Sequence, residues 1–132
     1  MISLSKSFSE QLVKEKVYLV IEAYFDFRLN KSSEVLGASY RIVNEGGTPA
    51  IYDADGFEIV SGNLDGYYFL QDSDDHLTIT HKLIFEAGTN TFWEVYFDNP
   101  TDNERALLDN VVKDLSFREG IPAPTLEHME CS

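Results

Sequence analysis

The residues in this chain with the most obvious chemical capability are its carboxylates and three histidines, and spacing decides what each group can do. Asp53-x-Asp55-Gly56 sets two oxygen ligands two residues apart ahead of a glycine, as the calcium-binding helical-hand loop does. Aligning Gly56 with that loop's glycine puts Ile51 at the first ligand position and Gly62 at the bidentate acid, so the remaining ligands are missing. A tight connection between strands, with Asp bonding nearby amides, explains the same residues. Asp72-x-Asp74-Asp75-His76 reads in the same way, as a solvated turn before a cation site. His76 and His81 are five apart, an odd spacing that sends them to opposite faces of a strand, where they cannot clamp one metal. His81 falls among apolar residues and is expected to be a neutral core histidine with one hydrogen bond; a general base inside a sheet concavity is the sharper alternative.

Nucleophilic chemistry has no visible framework. The chain contains no Gly-x-Ser-x-Gly elbow and no phosphate-cradling glycine loop, and its single cysteine, Cys131, sits beside the last residue with no histidine framework around it. Acid pairs such as Glu22 with Asp26, or Glu94 with Asp98, have the residue types of a glycosidase. Placed on strands they are expected to decorate solvated faces. No catalytic residue, metal or cofactor is therefore assigned, and a non-enzyme is expected.

The elements that must carry these groups follow from periodicity. Ser7 to Lys16 has a short amphipathic helical pattern. From Val17 to Leu29 the period becomes two, predicting one long strand with Val17, Leu19, Ile21, Ala23 and Phe25 on its buried side and Tyr18, Glu22, Tyr24 and Asp26 on the other. A turn at 30–34, a strand over 35–43 and a turn at Asn44-Glu45-Gly46-Gly47 come next. Shorter strands follow over 48–52, 57–61 and 67–71, separated by Asp- and Gly-containing turns. Residues 76–86 and 91–98 read as a final hairpin joined by Ala87-Gly88-Thr89-Asn90. Thr101 and Glu104 have capping-box spacing, opening a helix through about Phe117. The expected fold is α+β: an antiparallel meander of about seven strands, curved or partly closed, with an N-terminal and a C-terminal helix. Residues 1–120 form the domain, and 121–132, with Pro122 and Pro124, an irregular tail. No helix is expected between Arg41 and Asp98, so the helix that acidic secretion chaperones usually carry between strand groups has no candidate there.

Charge narrows the class of partner. Thirteen carboxylates and one positive side chain, Lys82, lie between Arg41 and Arg105, so this stretch holds nearly all of the net charge of −13. Its acids alternate with Tyr, Phe and Trp, which argues for a folded surface and against a disordered acidic tail. A polyanion would be repelled, which excludes nucleic acid as a direct partner. A basic protein is favoured, because acids among aromatic anchors raise encounter rates and support tight contact. The candidate partner-binding surface is Tyr52, Asp53, Asp55, Glu58, Asp65, Tyr67, Tyr68, Asp72, Asp74 and Asp75. With no apolar leader or membrane span, and with Glu22 breaking the longest apolar run, a cytoplasmic location is expected.

In size, acidity, a sheet with flanking helices and the lack of catalytic motifs, the chain resembles the small acidic immunity proteins of bacterial contact-dependent growth inhibition and related polymorphic toxin systems. The resemblance implies a protein that neutralises one cognate toxin domain, such as a nuclease whose cleft is positive. The competing expectations are an acidic secretion chaperone, and a ligand-binding protein or enzyme with a pocket near His81, Trp93 and Tyr96.

Overall fold

The computed structural model describes residues 4–7, 16–26, 37–61, 66–73 and 76–126, with the backbone only at 4–7, 55, 59–61 and 72–73. The elements run β1 (Leu4–Ser7), β2 (Val17–Leu19), β3 (Glu22–Asp26), β4 (Gly37–Val43), β5 (Pro49–Asp53), a 3₁₀ turn (Ala54–Gly56), β6 (Phe57–Ser61), β7 (Tyr67–Ser73), β8 (His76–His81), α1 (Lys82–Ala87), α2 (Thr89–Asp98) and α3 (Asp102–Glu119). The architecture is α+β. Its strands form two antiparallel sheets, one of three strands in the order β2-β1-β6 and an open one of five in the order β5-β4-β3-β8-β7.

A single meander is not what forms. The chain bends at Val20 and Ile21, so the expected long strand divides into β2 in one sheet and β3 in the other. It crosses back at Ala54–Gly56, so Asp53 and Gly56 flank a link between sheets and not a hairpin turn. The bend lies in a run of buried residues. Tyr18, Leu19, Val20, Ile21, Glu22 and Ala23 are all buried in succession, and a strand covered on both sides loses the in-out alternation of a half-exposed one.

The expected hairpin over 76–98 is also replaced. β8 stops at His81, and two short helices follow. Phe92 and Tyr96, and Trp93 and Phe97, are each four apart, so the aromatics that matched a period of two also fit one helical stripe. His81 starts α1: its Nδ1 accepts the Leu83 N–H at 3.1 Å, and Gly88, at φ 86°, separates α1 from α2. These helices lie between Arg41 and Asp98, where none was expected, although they follow the last described strand.

Other expectations hold. The β4–β5 turn is closed by Asn44 Oδ1, which accepts from Gly46 N at 3.0 Å and Thr48 N at 3.1 Å. At the start of α3, Thr101 Oγ1 accepts from Asn103 N at 3.3 Å while Glu104 Oε1 accepts from Thr101 N at 2.7 Å, and left-handed Gly120 ends the helix. Of the tail, 121–126 is irregular but attached, with Leu126 fully buried. Most of the expected N-terminal helix, the turn at 30–34 and Cys131 lie outside the described residues; Ser7 ends β1.

Removing the cap tests how much α3 depends on it. Thr101→Ala is expected to cost about 1 kcal/mol of stability, read as a lower urea midpoint at unchanged slope.

Candidate functional site

The central strand β3 pairs with β4 on one side and β8 on the other, and its register places Glu22 between Arg41 and Thr80. Directly opposed residues share a face, so these three side chains form one row across the middle of the sheet. Glu22 is fully buried. Its Oε2 accepts from Thr80 Oγ1 at 2.5 Å, and its Oε1 from Trp93 Nε1 at 2.9 Å and from the Tyr24 hydroxyl. Arg41 Nε lies 3.9 Å from the same Oε1 and donates to the Tyr24 hydroxyl at 3.0 Å, while Arg41 Nη1 donates to Pro49 O at 2.8 Å. The guanidinium carbon is 4.1 Å from the centre of the Trp93 ring and 5.6 Å from that of Phe97. Thus one carboxylate ties β3, β4, β8 and α2 together.

Burial holds the Glu22 carboxyl above its usual range, with Thr80, Tyr24, Trp93 and Arg41 opposing that shift. The same burial, with the neighbouring carboxylate, pushes the Tyr24 hydroxyl up, so it stays protonated and donating. Every contact to Glu22 is a donor, which is the pattern an acceptor-only carboxylate satisfies.

Above this row lies an open cleft of about 530 Å³, lined by Tyr24, Arg41, Ile51, Asn90, Trp93, Glu94 and Phe97. Ile51 and Phe97 are 49% and 51% exposed, a large apolar area for two side chains at a cleft mouth. Glu94 and Asp98 are exposed on the same helix. Asp53, also exposed, is two residues beyond Ile51 and therefore shares its face of β5.

His81 faces the other way. Next to Thr80 in the strand, it is fully buried on the opposite side, where its Nε2 is 2.7 Å from Asp114 Oδ2 of α3. Because Nδ1 accepts from Leu83 N, the proton belongs on Nε2 and is donated to Asp114. Arg118 lies 3.1 Å from the same carboxylate oxygen, and the Tyr67 ring meets His81 edge-on. Burial holds the imidazole below its ordinary value, against the pull of Asp114. Both ring nitrogens are engaged in joining β8, α1 and α3, so His81 fills the core and does not line the Trp93 cleft.

The sequence-derived surface is only partly brought together. Tyr67 does not belong to it: the ring is buried and its hydroxyl donates to Val20 O. Tyr52, half-buried, accepts from Asn44 Nδ2 at 3.2 Å, while Asp53 and Glu58 are exposed and Tyr68 is 42% exposed against Phe85. Tyr52 and Asp53 lie on one edge strand and Tyr68 on the opposite edge, four strand spacings or about 19 Å apart. Glu58 belongs to the other sheet. Asp65, Asp74 and Asp75 and the side chains of Asp55 and Asp72 lie outside the described residues. Glu86, Glu94 and Asp98, expected on strands, stand on α1 and α2. Glu22 and Asp26 are not a solvated pair, since Glu22 is enclosed and Asp26 lies 3.6 Å from His76. Among the described residues no group of three His, Cys, Asp or Glu could hold a metal, and no helix is long and apolar enough to cross a membrane. The signal for Glu22 was present in the chain, as the one charged residue in the apolar run from Val17 to Phe25.

Three predictions come from these networks. Removing one partner of the buried pair, by Glu22→Ala or Arg41→Ala, is expected to cost about 3–5 kcal/mol, measured by urea unfolding. Trp93 is the only tryptophan, so acid titration of folded-state fluorescence should show a step with its midpoint above 4.5, the ordinary value for Glu22, and Glu22→Gln should lack it. For His81, a depressed folded value means stability present above 6.5 and lost as pH falls below it. His81→Asn, which keeps a capping acceptor but does not titrate, should flatten the pH dependence of the urea midpoint in that window relative to wild type. Comparison with known proteins adds no family: no protein family, curated protein or solved structure matches the chain.

Proposed function

We propose that this chain is a non-catalytic acidic binding protein that neutralises a basic partner in the cytoplasm, in the manner of the immunity proteins of contact-dependent growth inhibition and related polymorphic toxin systems. The observation that carries the reading is the surface of α2 and β5 around the Ile51–Phe97 cleft. The charged residues of α2, Glu94 and Asp98, are both exposed, and Asp53 adds a further carboxylate beside exposed Ile51 and Phe97. Apolar anchors ringed by carboxylates suit a toxin domain whose own cleft is positive to hold phosphate, since acids can stand where phosphates would lie. The sequence-derived acidic surface therefore moves its centre from Tyr67 and Tyr68 to the β5 edge and α2.

A ligand-binding reading is weaker at its expected place, because His81 and Trp93 serve opposite sides of the sheet. A chaperone reading gains helices at 82–98 but not a helix between strand groups among the described residues.

The test is recovery of a basic protein partner from the native host, followed by affinity measurement at low and high salt. Glu94→Lys with Asp98→Lys is expected to slow association and weaken binding at least about tenfold at low salt, with the difference shrinking as salt rises. Recovery of a metabolite alone, or salt-independent affinity, would overturn the proposal.

A further inference from the structure

We infer that the free edge of β5 takes up an extended basic segment of the partner as an added strand, seating one apolar side chain in the Ile51–Phe97 cleft and lysine or arginine beside Asp53 and Glu94. This rests on the basic-partner reading above and specifies how the contact is made.

Three observations meet at this edge. First, among the described residues β5 pairs only with β4, leaving its outer row of backbone N–H and C=O groups without a strand. Pro49 opens β5 and is fully buried, so the length open to pairing is Ala50–Asp53, roughly 13 Å of strand. Second, the cleft borders this length on the face that Ile51 shares with Arg41, and the half-exposed Ile51 and Phe97 form its apolar mouth. A strand laid against β5 would put alternate side chains on that face, one opposite Ile51 and the next beside Asp53. Third, the charge suits a cation. Arg41 also lines the cleft, but Glu22 stands 3.9 Å from it, so among the described residues the carboxylates of Glu94 and Asp53 are left to set the sign at the rim.

The other free edge, β7, is a poorer match. It exposes Phe69 and Tyr68, yet Tyr68 is already packed on Phe85, and Lys82, the one cation of the acidic stretch, is bonded through its backbone N–H to Gly66 at the start of that strand. β7 carries Asp72 of its own, so charge does not separate the two edges; the apolar cleft beside Ile51 and Phe97, and the packing of Tyr68 on Phe85, do. A second copy of this chain, at −13, would be repelled from either edge.

The test uses a short synthetic peptide with lysine and valine in turn at every second position and threonine between them. A second version carries N-methyl groups on alternate backbone nitrogens, and a third has glutamate in place of lysine. Binding is followed by the fluorescence of Trp93, which lines the cleft, and by amide exchange. The lysine peptide is expected to saturate the signal and to slow exchange within 50–53, and methylation to weaken it at least about tenfold by removing main-chain donors. The glutamate version should not bind, and Ile51→Lys, at a half-exposed position, should weaken the lysine peptide similarly while leaving the circular dichroism unchanged. Equal affinity for the methylated peptide, protection in β7 instead of β5, or failure of the lysine peptide to saturate would overturn strand addition. If an intact basic partner binds Ile51→Lys as well as wild type while Glu94→Lys with Asp98→Lys weakens it, strand addition is wrong and the basic-partner reading stands. If the peptide docks on β5 but no basic partner protein is recovered, strand addition stands and the functional reading falls.

Discussion

The middle of the five-stranded sheet is organised around one buried carboxylate. Glu22 sits in the central strand with no exposure to water, a position that costs several kcal/mol for an ion unless other groups replace its hydration. Four elements contribute to that replacement: β8 through Thr80, β3 through Tyr24, α2 through Trp93 and β4 through Arg41. These contacts are geometrically exclusive. A slip of one residue in the pairing of β3 with either neighbour would turn its side chains to the opposite face and leave Glu22 without Arg41 or Thr80 beside it. The network therefore selects register as well as contributing contacts, a role that apolar packing alone would fill less stringently.

That constraint accounts for the way the helices sit. α2 reaches one face of the sheet through Trp93, and α3 reaches the other through Asp114 and His81. Thr80 and His81 are adjacent in sequence and serve opposite networks, so the end of β8 is pinned from both sides. With both faces occupied at this end, the backbone of 18–23 is enclosed all round. The bend between β2 and β3 falls inside this enclosed run.

How much of this was legible in the chain depended on whether a segment's signal was local. The β4–β5 turn, β6 at 57–61 and the start of α3 could be read because Asn44, the strand alternation and the Thr101–Glu104 pair act within a few residues. Residues 82–98 could not, since Leu83, Phe85, Trp93, Val95 and Phe97 satisfy a period of two, while Phe92, Trp93, Tyr96 and Phe97 satisfy a helix. Tertiary burial of Ile84, Phe92 and Trp93 decides between them. Glu22 was misread for a related reason. Its partners come from positions 24, 41, 80 and 93, and only the fold brings those together. At the candidate site, Asp53 and Glu58 were legible as exposed acids, whereas Tyr67 was lost to the core and Phe97 and Ile51 emerged from segments read as ordinary strands.

Where the positive charges go explains why the acidic surface remains acidic. Among the six bases whose side chains are described, Lys16, Arg41, Arg105 and Arg118 each lie within ion-pair distance of a carboxylate: Glu45, Glu22, Asp102 and Asp114. Arg41 is the telling case, because it lies beneath the cleft and its charge is directed inward by Glu22 and Tyr24 and covered by Trp93. Were Arg41 exposed, it would offset Glu94 and Asp53 at the rim. Held at 8% exposure, it stiffens the floor of the cleft without matching the charge of the rim. Among the described residues the fold thus keeps Arg41 in the interior and gives the carboxylates of α2 and the β5 edge no ion pair, beside half-exposed apolar side chains. On a folded surface that combination has a net electrostatic attraction for a cationic partner and apolar area to bury once the partner arrives.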